Sequence, residues 1–294
     1  MRNGSYARLT DRGTVFIGGL EAETFLQNII TTDMGRVVSS GAGYGALLSP
    51  QGKILFDFIV VAADDGFLVD LPRALTADFV KRMTLYRLRA KVEIANRGET
   101  DAVVAFWGGD TTPPAVAGVI VADPRLPALG YRAIVPVEAP LAVAGYEVAT
   151  EADYHAWRTG LTVPEGGRDF PFGDAFPHDV DMDDLGGLDF RKGCYVGQEI
   201  VSRMEHRGTA RRRAVAISAT SALPPAGTPI EADGKPLGTL GGTAGSGGIG
   251  LIRLDRAKRA LDLGTPVTAG GVPLSITLPS FAKFGWPSDA GDDA

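Results

Sequence analysis

Apolar residues recur along this chain at two spacings, and each spacing predicts a different kind of element. Helical spacing, with apolar side chains three or four residues apart, covers residues 21–30, 72–85 and 151–159. Apolar runs bounded by turn residues predict strands over 44–48, 53–63, 67–71, 91–94, 102–107 and 118–122. The first 122 residues are therefore expected to mix helices and strands.

Turn residues between these segments predict which neighbouring strands pair. The short strands 6–9 and 14–17 flank Asp11-Arg12-Gly13, which indicates an opening hairpin. Pro and Gly in 49–52 predict a second hairpin between 44–48 and 53–63. Beyond residue 211, strand-like pieces recur about every ten residues among many glycines, a pattern typical of a small β-barrel or sandwich. The expected fold class is α+β with a C-terminal β module, and residues 286–294 form a polar, acidic, disordered tail.

Composition limits the class of protein. The chain has 294 residues, is 45% hydrophobic and 22% charged, and has a net charge of −6. This length allows two or three domains, and the acidic balance argues against direct nucleic-acid binding. No apolar run approaches the roughly 20 residues of a membrane span, and residues 1–11 do not resemble a signal peptide. The single cysteine cannot form an internal disulfide, which fits a reducing compartment. Together with the lack of a long apolar run, this predicts a cytoplasmic protein that contacts no membrane.

That cysteine, Cys194, lies in the run KGCYVGQE at 192–199. Arg191 and Lys192 precede the sulfur, and a helical pattern begins after Gly197. Cations and a helix N-terminus both lower a thiol pKa, so Cys194 is a candidate reactive residue. The alternative is a small apolar side chain packed beneath a tight turn, because free cysteine is among the most buried residue types.

Charge is unevenly distributed around the cysteine run. Residues 165–189 carry eight carboxylates, and residues 203–213 carry five arginines. One interpretation is a solvated acidic loop beside a basic helix and strand. The other is a seam where an anionic ligand meets Arg203, Arg207 or Arg213, because guanidinium groups bind carboxylate and phosphate with two bonds.

Several familiar sites do not fit the residues present. Four aspartates between 179 and 184 lack the glycine and glutamate of a calcium loop, and the glycines at 245–250 open no βαβ unit. Zinc and resident iron–sulfur sites lack ligands, and no serine-hydrolase elbow occurs, so no resident metal is expected. A Cys194 dyad with His178 or His206 stays open.

Four stretches, taken together, resemble the YgfZ branch of the YgfZ/GcvT folate-binding superfamily. They are FLQNIITTDM at 25–34, ALLSPQGKILFDF at 46–58, YRLRAKVEI at 86–94, and KGCYVGQE followed by SRMEHRGTARRR at 192–213. The resemblance implies a three-domain ring similar to the T-protein of the glycine cleavage system, ending in a β-barrel. The expected domains are 1–45 with 125–207, then 46–124, then 208–285.

The resemblance also implies a function. It indicates a tetrahydrofolate-binding accessory protein for assembly or repair of iron–sulfur proteins, with transient client or assembly partners and, in some relatives, Fe–S enzymes that modify tRNA. The alternatives are a folate-dependent aminomethyl- or methyltransferase, in which Asp57 would be catalytic, and an interaction module without folate. Phe58 weakens the transferase reading because that branch has a second aspartate there. The relatives often carry R-x-E-x-G after their middle helix, whereas Trp157-Arg158-Thr159-Gly160 has no such glutamate, so either that contact is missing or a neighbour such as Glu165 substitutes for it.

A folate site needs carboxylate acceptors, ring walls and cations for the glutamate tail. The candidate acceptors are Asp33, Asp57 and Glu199, and the candidate walls are Tyr86 and Tyr195. Arg87, Arg89 and Arg203 are the candidate tail cations, and Lys192 and Gln198 complete the set beside Cys194. Each has a plainer interpretation: a helix cap for Asp33, a strand with solvated arginines at 86–89, an exposed pair for Glu199 with Arg203, and a solvated Lys192.

Overall fold

The computed structural model describes residues 3–109, 114–141, 143–208 and 210–287. The tail predicted to be disordered lies outside the described residues from position 288 onward. The described helices are α1 (Ala22–Gln27), α2 (Met34–Ser40), α3 (Thr76–Arg87), α4 (Glu151–Gly160), α5 (Gln198–Arg207) and α6 (Leu254–Asp262). Short 3₁₀ turns occur at Arg73–Leu75, Pro127–Leu129 and Pro177–Val180.

Sheet 1 contains five strands in the order β3-β4-β5-β2-β6. These are β2 (Arg12–Gly18), β3 (Ala42–Leu48), β4 (Ile54–Ala63), β5 (Gly66–Pro72) and β6 (Glu93–Asn96). All neighbours are antiparallel, and the β3–β4 hairpin predicted around 49–52 is confirmed. One face packs against α1, α2 and α3 through Leu26, Met34 and Phe79.

Sheet 2 contains five strands in the order β10-β1-β7-β9-β8. These are β1 (Gly4–Leu9), β7 (Asp101–Trp107), β8 (Val119–Ala122), β9 (Tyr131–Pro136) and β10 (Tyr146–Val148). The predicted β1–β2 hairpin is wrong. β1 lies between β10 and β7, and β2 lies between β5 and β6, so neither strand has a free edge for the other. Their apolar side chains fill different cores, with Leu9 in one and Ile17 in the other.

The C-terminal module confirms the barrel prediction. Seven strands follow the order β16-β15-β12-β13-β14-β11-β17. They are β11 (Arg212–Ser218), β12 (Pro229–Ala232), β13 (Lys235–Ala244), β14 (Gly247–Arg253), β15 (Val267–Ala269), β16 (Val272–Pro273) and β17 (Ser275–Thr277). Val215, Ile230 and Ile252 line its core, which Ala257 and Ala260 of α6 help to enclose. The α+β fold class with a terminal barrel is confirmed.

Two apolar cores connect the three sheets. Ile59 and Val61 of sheet 1 pack against Ile134 of sheet 2. A second core joins the Tyr44 face of sheet 1 to the segment 163–195 and to Ile249 of the barrel. The predicted domain limits stay a prediction, although strands 46–72 share a sheet with β2 from the segment assigned to the first domain.

Candidate functional site

The loop containing Cys194 is tied to the turn that follows α1. Asp189 accepts hydrogen bonds from the backbone N–H groups of Arg191 and Lys192 at 2.8 and 3.0 Å, while its own N–H donates to the carbonyl of Thr31. The Thr31 hydroxyl donates to the carbonyl of Gly187 at 2.6 Å. Residues 187–192 are therefore fixed to the turn at 30–33. The sequence motifs alone do not indicate this contact.

Lys192 is the anchor of this loop and is not solvated. Its side chain is only 7% exposed, and its ammonium donates to the carbonyls of Ile30 and Thr32 at 2.6 and 2.7 Å. Burial lowers the pKa of Lys192 to about 8, against the raising effect of Asp33 and Asp189. The plain interpretation of Lys192 as a solvated cation is wrong, because two backbone oxygens in the turn need a buried donor.

Cys194 is exposed on this anchored loop, so the alternative of a thiol packed beneath a turn is wrong. Gly197 has φ +81° and lies directly before α5, a backbone conformation that glycine adopts readily. Tyr195 points inward, and burial raises the pKa of its hydroxyl to about 12. That hydroxyl has no hydrogen-bond partner in the described part of the chain. Gln198 accepts from the Tyr195 N–H at 3.3 Å.

The exposed face of α5 carries two of the predicted folate ligands. Arg203 donates to Glu199 at 2.7 Å, and their side chains are 52% and 83% exposed. This is the i, i+4 pair of the plainer interpretation. The side chain of Arg207 lies outside what the structure describes.

Asp33 caps α2. Its Oδ1 accepts from the Arg36 N–H at 2.9 Å, and its Oδ2 accepts from Gln27 at 2.9 Å. The Gln27 carbonyl in turn accepts from the Met34 N–H. The carboxylate is thus occupied by the helix start, as the cap interpretation requires.

The stretch 86–89 is not a strand: Tyr86 and Arg87 end α3, and Leu88 and Arg89 form the turn that follows. Tyr86 packs against the helix-covered core of sheet 1, and Arg87 donates only to the carbonyl of Val92 at 3.4 Å. Within the described residues, no hydrogen bond or ion pair joins Tyr86, Arg87 or Arg89 to the Cys194 loop. The strand interpretation of 86–89 is wrong, because the helical register continues to Arg87.

Asp57 lies on β4 and is 3% exposed. Its Oδ2 accepts from the Gly166 N–H at 3.1 Å, and its Oδ1 is buried without a partner among the described atoms. Burial raises the pKa of Asp57, although Arg12 opposes the shift. A Cβ at position 166 would sit 2.8 Å from that free oxygen, so glycine permits this close approach.

A buried network of charges surrounds Asp57, and sequence reasoning missed most of it. Arg125 donates two hydrogen bonds to the carboxylate of Asp123, a bidentate pair, and also donates to Glu165 at 3.0 Å. Arg158 contacts Glu165 at 3.4 Å and Asp169 at 2.6 Å. Burial opposes the charge on Glu165, but the surrounding arginines outweigh it and hold the pKa of that carboxyl well below its usual range. Glu165 is therefore a buried partner of both Arg125 and Arg158, and its role as a substitute for the relatives' glutamate stays a prediction.

A cavity of about 250 Å³ opens beside Asp123 of this network and Thr32 of the turn to which Lys192 bonds. Its lining includes Thr32, Arg36, Tyr44, Asp123 and Gly186. The Tyr44 hydroxyl is buried and unpartnered among the described atoms, and burial next to Asp57 raises its pKa. Sequence reasoning passed over Tyr44 and Arg36, although both flank the matched stretches at 25–34 and 46–58.

The acidic and basic segments on either side of the cysteine run pair with each other. Arg213 makes two bonds to Asp183 at 2.7 and 2.8 Å. Arg212 bonds Asp174 and Asp179 at 3.1 and 2.8 Å. The expected anion seam at Arg213 is therefore wrong, since its guanidinium is already occupied. The same pairing engages Asp179 and Asp183 of the aspartate-rich stretch.

Two groups of possible metal ligands occur among the described residues. Asp11, Glu151 and His155 lie together, as do His178, Asp183 and Glu205. Arg168 binds Asp11 at 2.7 Å in the first group. The second group shares its Asp183 with the Arg213 fork described above. Each group thus already contains a cation that competes with a metal ion.

Comparison with known proteins supports the architecture. A family model described as CAF17, C-terminal beta-barrel domain, matches residues 211–284. The chain superposes on the crystal structure of glycine cleavage system aminomethyltransferase T from Bartonella henselae with a TM-score of 0.73 and 14% identity. That match covers 95% of this chain and 86% of the enzyme. The predicted likeness to the T-protein fold is confirmed.

The sequence relatives are named as iron–sulfur cluster assembly factors. The human mitochondrial iron–sulfur cluster assembly factor IBA57 is 28% identical over 96% of this chain and 85% of its own length. An IBA57 homolog from Mycosarcoma maydis is 31% identical over 72% of this chain and 56% of its own length. An IBA57 homolog from Neurospora crassa is 31% identical, with 52% of its length covered. The chain spans about half the length of these two fungal relatives.

These relatives also correct an expectation. The predicted cytoplasmic location is wrong by this comparison, because the human and fungal relatives are all mitochondrial proteins. They carry the name IBA57, so assignment to the YgfZ branch stays a prediction. In the part of the chain that the structure describes, no helix combines the length and apolar character needed to span a bilayer.

Proposed function

We propose that this protein is an accessory factor in the assembly or repair of iron–sulfur proteins, with Cys194 as its reactive thiol. The similarity to iron–sulfur cluster assembly factors, over 96% of the chain and 85% of the human relative, is the observation that carries the proposal. The exposed position of Cys194 on a loop anchored by Lys192 supports it. Such a thiol can meet iron or a partner's sulfur without rearrangement of the core.

The test is complementation of a strain that lacks the protein, with the activity of a [4Fe–4S] enzyme as the readout. Cys194→Ala is expected to lose most of the rescue while its thermal unfolding midpoint stays at the wild-type value. Ser202→Ala on α5 serves as a matched control and is expected to rescue fully. Full rescue by Cys194→Ala would remove the thiol from the mechanism. Fe–S enzymes that modify tRNA are the clients to assay first.

The proposal extends to a reduced folate as ligand. The T-protein fold supports it, as does the cavity that Tyr44 lines together with Asp123 of the buried charges and Thr32 of the turn to which Lys192 bonds. At about 250 Å³ the cavity is smaller than the ~300–1,000 Å³ of most ligand pockets, so it would enclose the pterin ring and leave the glutamate tail outside. Arg36 is 68% exposed at the cavity edge and bonds Asp189 at 3.2 Å through one terminal nitrogen only, so its other N–H groups would meet that tail.

Anaerobic calorimetry with tetrahydrofolate tests this ligand. Tyr44→Leu and Arg36→Ala are each expected to weaken binding about tenfold. The first removes an aromatic wall of the cavity, and the second removes a charge-assisted hydrogen bond to the glutamate tail. Arg89→Ala and Arg203→Ala are the controls and are expected to leave the affinity unchanged. If Arg203→Ala abolishes binding while Tyr44→Leu does not, the folate lies on α5 instead. If neither wild type nor any variant gives a binding heat with tetrahydrofolate, the remaining hypothesis is an interaction module that does not bind folate.

A transferase activity is the second candidate, and Asp57 is the observation in its favour. A buried carboxyl with a raised pKa and one free oxygen is able to handle a proton on a reacting nitrogen. The assay is turnover of tetrahydrofolate with an aminomethyl or methylated amine donor. If wild type turns over and Asp57→Asn does not, the protein is an enzyme; no turnover in wild type removes this candidate.

A further inference from the structure

The C-terminal end of α3 is strongly positive although the whole chain is acidic. Residues 81–91 contain five cations and no carboxylate, against a net charge of −6 for the chain. The side chains of Lys81, Arg82, Arg89 and Lys91 are exposed, and no ion pair neutralises them within the described residues. Elsewhere in the structure, arginines such as Arg12 are paired with carboxylates.

Three large apolar side chains are exposed at the same place. Leu85 and Leu88 at the end of α3 are 63% and 86% exposed, and Leu20 is 93% exposed. Leu20 lies next to the segment that follows α3, since Glu21 accepts from the Lys91 N–H at 2.6 Å. Leucine at this level of exposure loses the free energy of burial that it would gain in a core.

The backbone of Leu88 adds a second observation. It has φ +48° and ψ −106°, and the Ala90 N–H donates to the Arg87 carbonyl at 2.8 Å. This is a turn of type II′, in which the Leu88 position favours glycine. A leucine there bears backbone strain while its side chain stays 86% exposed. Contact with something outside the chain would explain both features.

A groove runs between α3 and β4, and Leu85 is the exposed leucine that lines it. Its volume is about 380 Å³, and its lining includes Leu55, Phe56 and Leu85 on the apolar side, with Lys81 and Arg82 at the edge. Asp78 is the one carboxylate in the lining. Phe56 belongs to the helix-covered core of sheet 1, whereas Tyr44 belongs to the core on its other face. A molecule bound in the groove would therefore leave Cys194 and the Tyr44 cavity accessible.

We propose that this groove and its flanking cations and leucines form a docking surface for a partner protein. We call it the α3 surface, and its defining residues are Lys81, Arg82, Leu85, Leu88 and Arg89. The partner presents an acidic segment with a large apolar side chain. Its carboxylates meet the free cations, and its apolar side chain enters the groove.

Two other polyanions fit the observations less well. A lipid surface is flat on this scale and would leave the groove empty, although it could accept the leucines. Nucleic acid would meet the cations, but its contacts use phosphates and stacked rings rather than leucine side chains. The inference goes beyond the proposed function and does not depend on Cys194 or on folate.

Fluorescence anisotropy of the full chain tests the α3 surface. The probe is a labelled synthetic peptide of alternating glutamate and leucine residues, compared with oligoglutamate of equal charge. The peptide is expected to bind saturably and about tenfold more tightly than oligoglutamate, because only the peptide fills the groove. The pairs R82E with R89E and L85S with L88S are each expected to weaken the peptide about tenfold.

The matched control is R256E with R259E, which changes the net charge equally at exposed positions on α6. This pair is expected to leave peptide binding unchanged, and thermal unfolding checks that every variant is folded. Equal binding of peptide and oligoglutamate, or no saturable binding, overturns the proposal. Tighter binding of phosphatidylserine vesicles or of a single-stranded RNA also overturns it in favour of a lipid or nucleic-acid surface. The Cys194→Ala rescue assay is independent of all these outcomes.

Discussion

The ammonium of Lys192 is buried, whereas most lysine side chains are solvated. Its folded-state pKa of about 8 is below the ~10.4 of an unfolded lysine. Between these values the unfolded chain binds more protons than the folded one, so the stability contributed at this site rises with pH. The free energy of unfolding of wild type relative to Lys192→Met is therefore expected to increase between pH 7.5 and 10, measured by urea titration.

Lys81→Met is the control for that experiment, because Lys81 is exposed on α3. Its difference from wild type is expected to stay flat over the same pH range. A flat difference for Lys192→Met as well would contradict the burial of the Lys192 ammonium.

Leu88 is a position where a smaller residue should improve the fold. Replacing it by glycine releases the strain of a positive φ, against the larger entropy of an unfolded glycine. Leu88→Gly is expected to raise the free energy of unfolding by about 1 kcal/mol in urea titration. Leu85→Gly, three residues earlier within α3, is expected to lower it by about 1 kcal/mol. If Leu88→Gly destabilises the protein, Leu88 makes a contact that its exposure does not indicate.

At the scale of elements, α2 depends on Asp33. Asp33→Ala is expected to lower the free energy of unfolding by about 1 kcal/mol, because the first turn loses its side-chain acceptor. Asp33→Ser retains a capping oxygen and is expected to lose only a few tenths of that. Folate binding separates the two roles of this residue. If both variants keep the wild-type affinity in calorimetry, Asp33 is a cap alone; if both lose affinity, it is also a ligand.

Local patterns predicted single elements better than their pairing. The 49–52 turn chemistry was sufficient to place β3 beside β4, because a tight turn leaves no other arrangement. Gly13 and its neighbours gave a similar signal, but β1 and β2 each pair with strands much later in the chain. Strand pairing over such distances is decided by which core each face fills, and a single sequence does not contain that information.

The site was predictable to the same extent. Cys194 and Lys192 were identifiable because their run is unusual in charge and glycine content. Tyr44 looked like an ordinary strand residue, and only the fold shows its hydroxyl among buried charges. Arg158 falls within the helix predicted at 151–159, and nothing in that pattern indicates that its side chain is only 1% exposed. Burial of a polar side chain is a property of the assembled molecule.

For the whole molecule, the short segment 165–169 contacts strands of sheet 1 and of the barrel, and also the loop that joins β8 to β9 of sheet 2. The Gly166 N–H donates to Asp57 of sheet 1, and Glu165 accepts from Arg125 beside sheet 2. Asp169 accepts from the Gly242 N–H of the barrel at 2.7 Å. The segment therefore couples the three sheets through charged groups, in addition to the apolar contacts that pack them together.

Glu165 is the member of this segment whose removal should be most damaging. Glu165→Gln leaves Arg158 and Arg125 buried with less compensating charge, so a loss of about 3–5 kcal/mol in unfolding free energy is expected at pH 7. Its pKa is depressed in the folded state, so its contribution is present above the unfolded value of about 4.3 and is lost as pH falls through the folded value. The difference between wild type and Glu165→Gln in urea titrations should thus be constant from pH 7 to 5 and shrink below about pH 4.3. Glu199→Gln, which breaks an exposed pair, should change stability by no more than about 0.5 kcal/mol at any of these pH values. An effect of Glu165→Gln as small as that of Glu199→Gln would mean that apolar packing alone joins the three sheets.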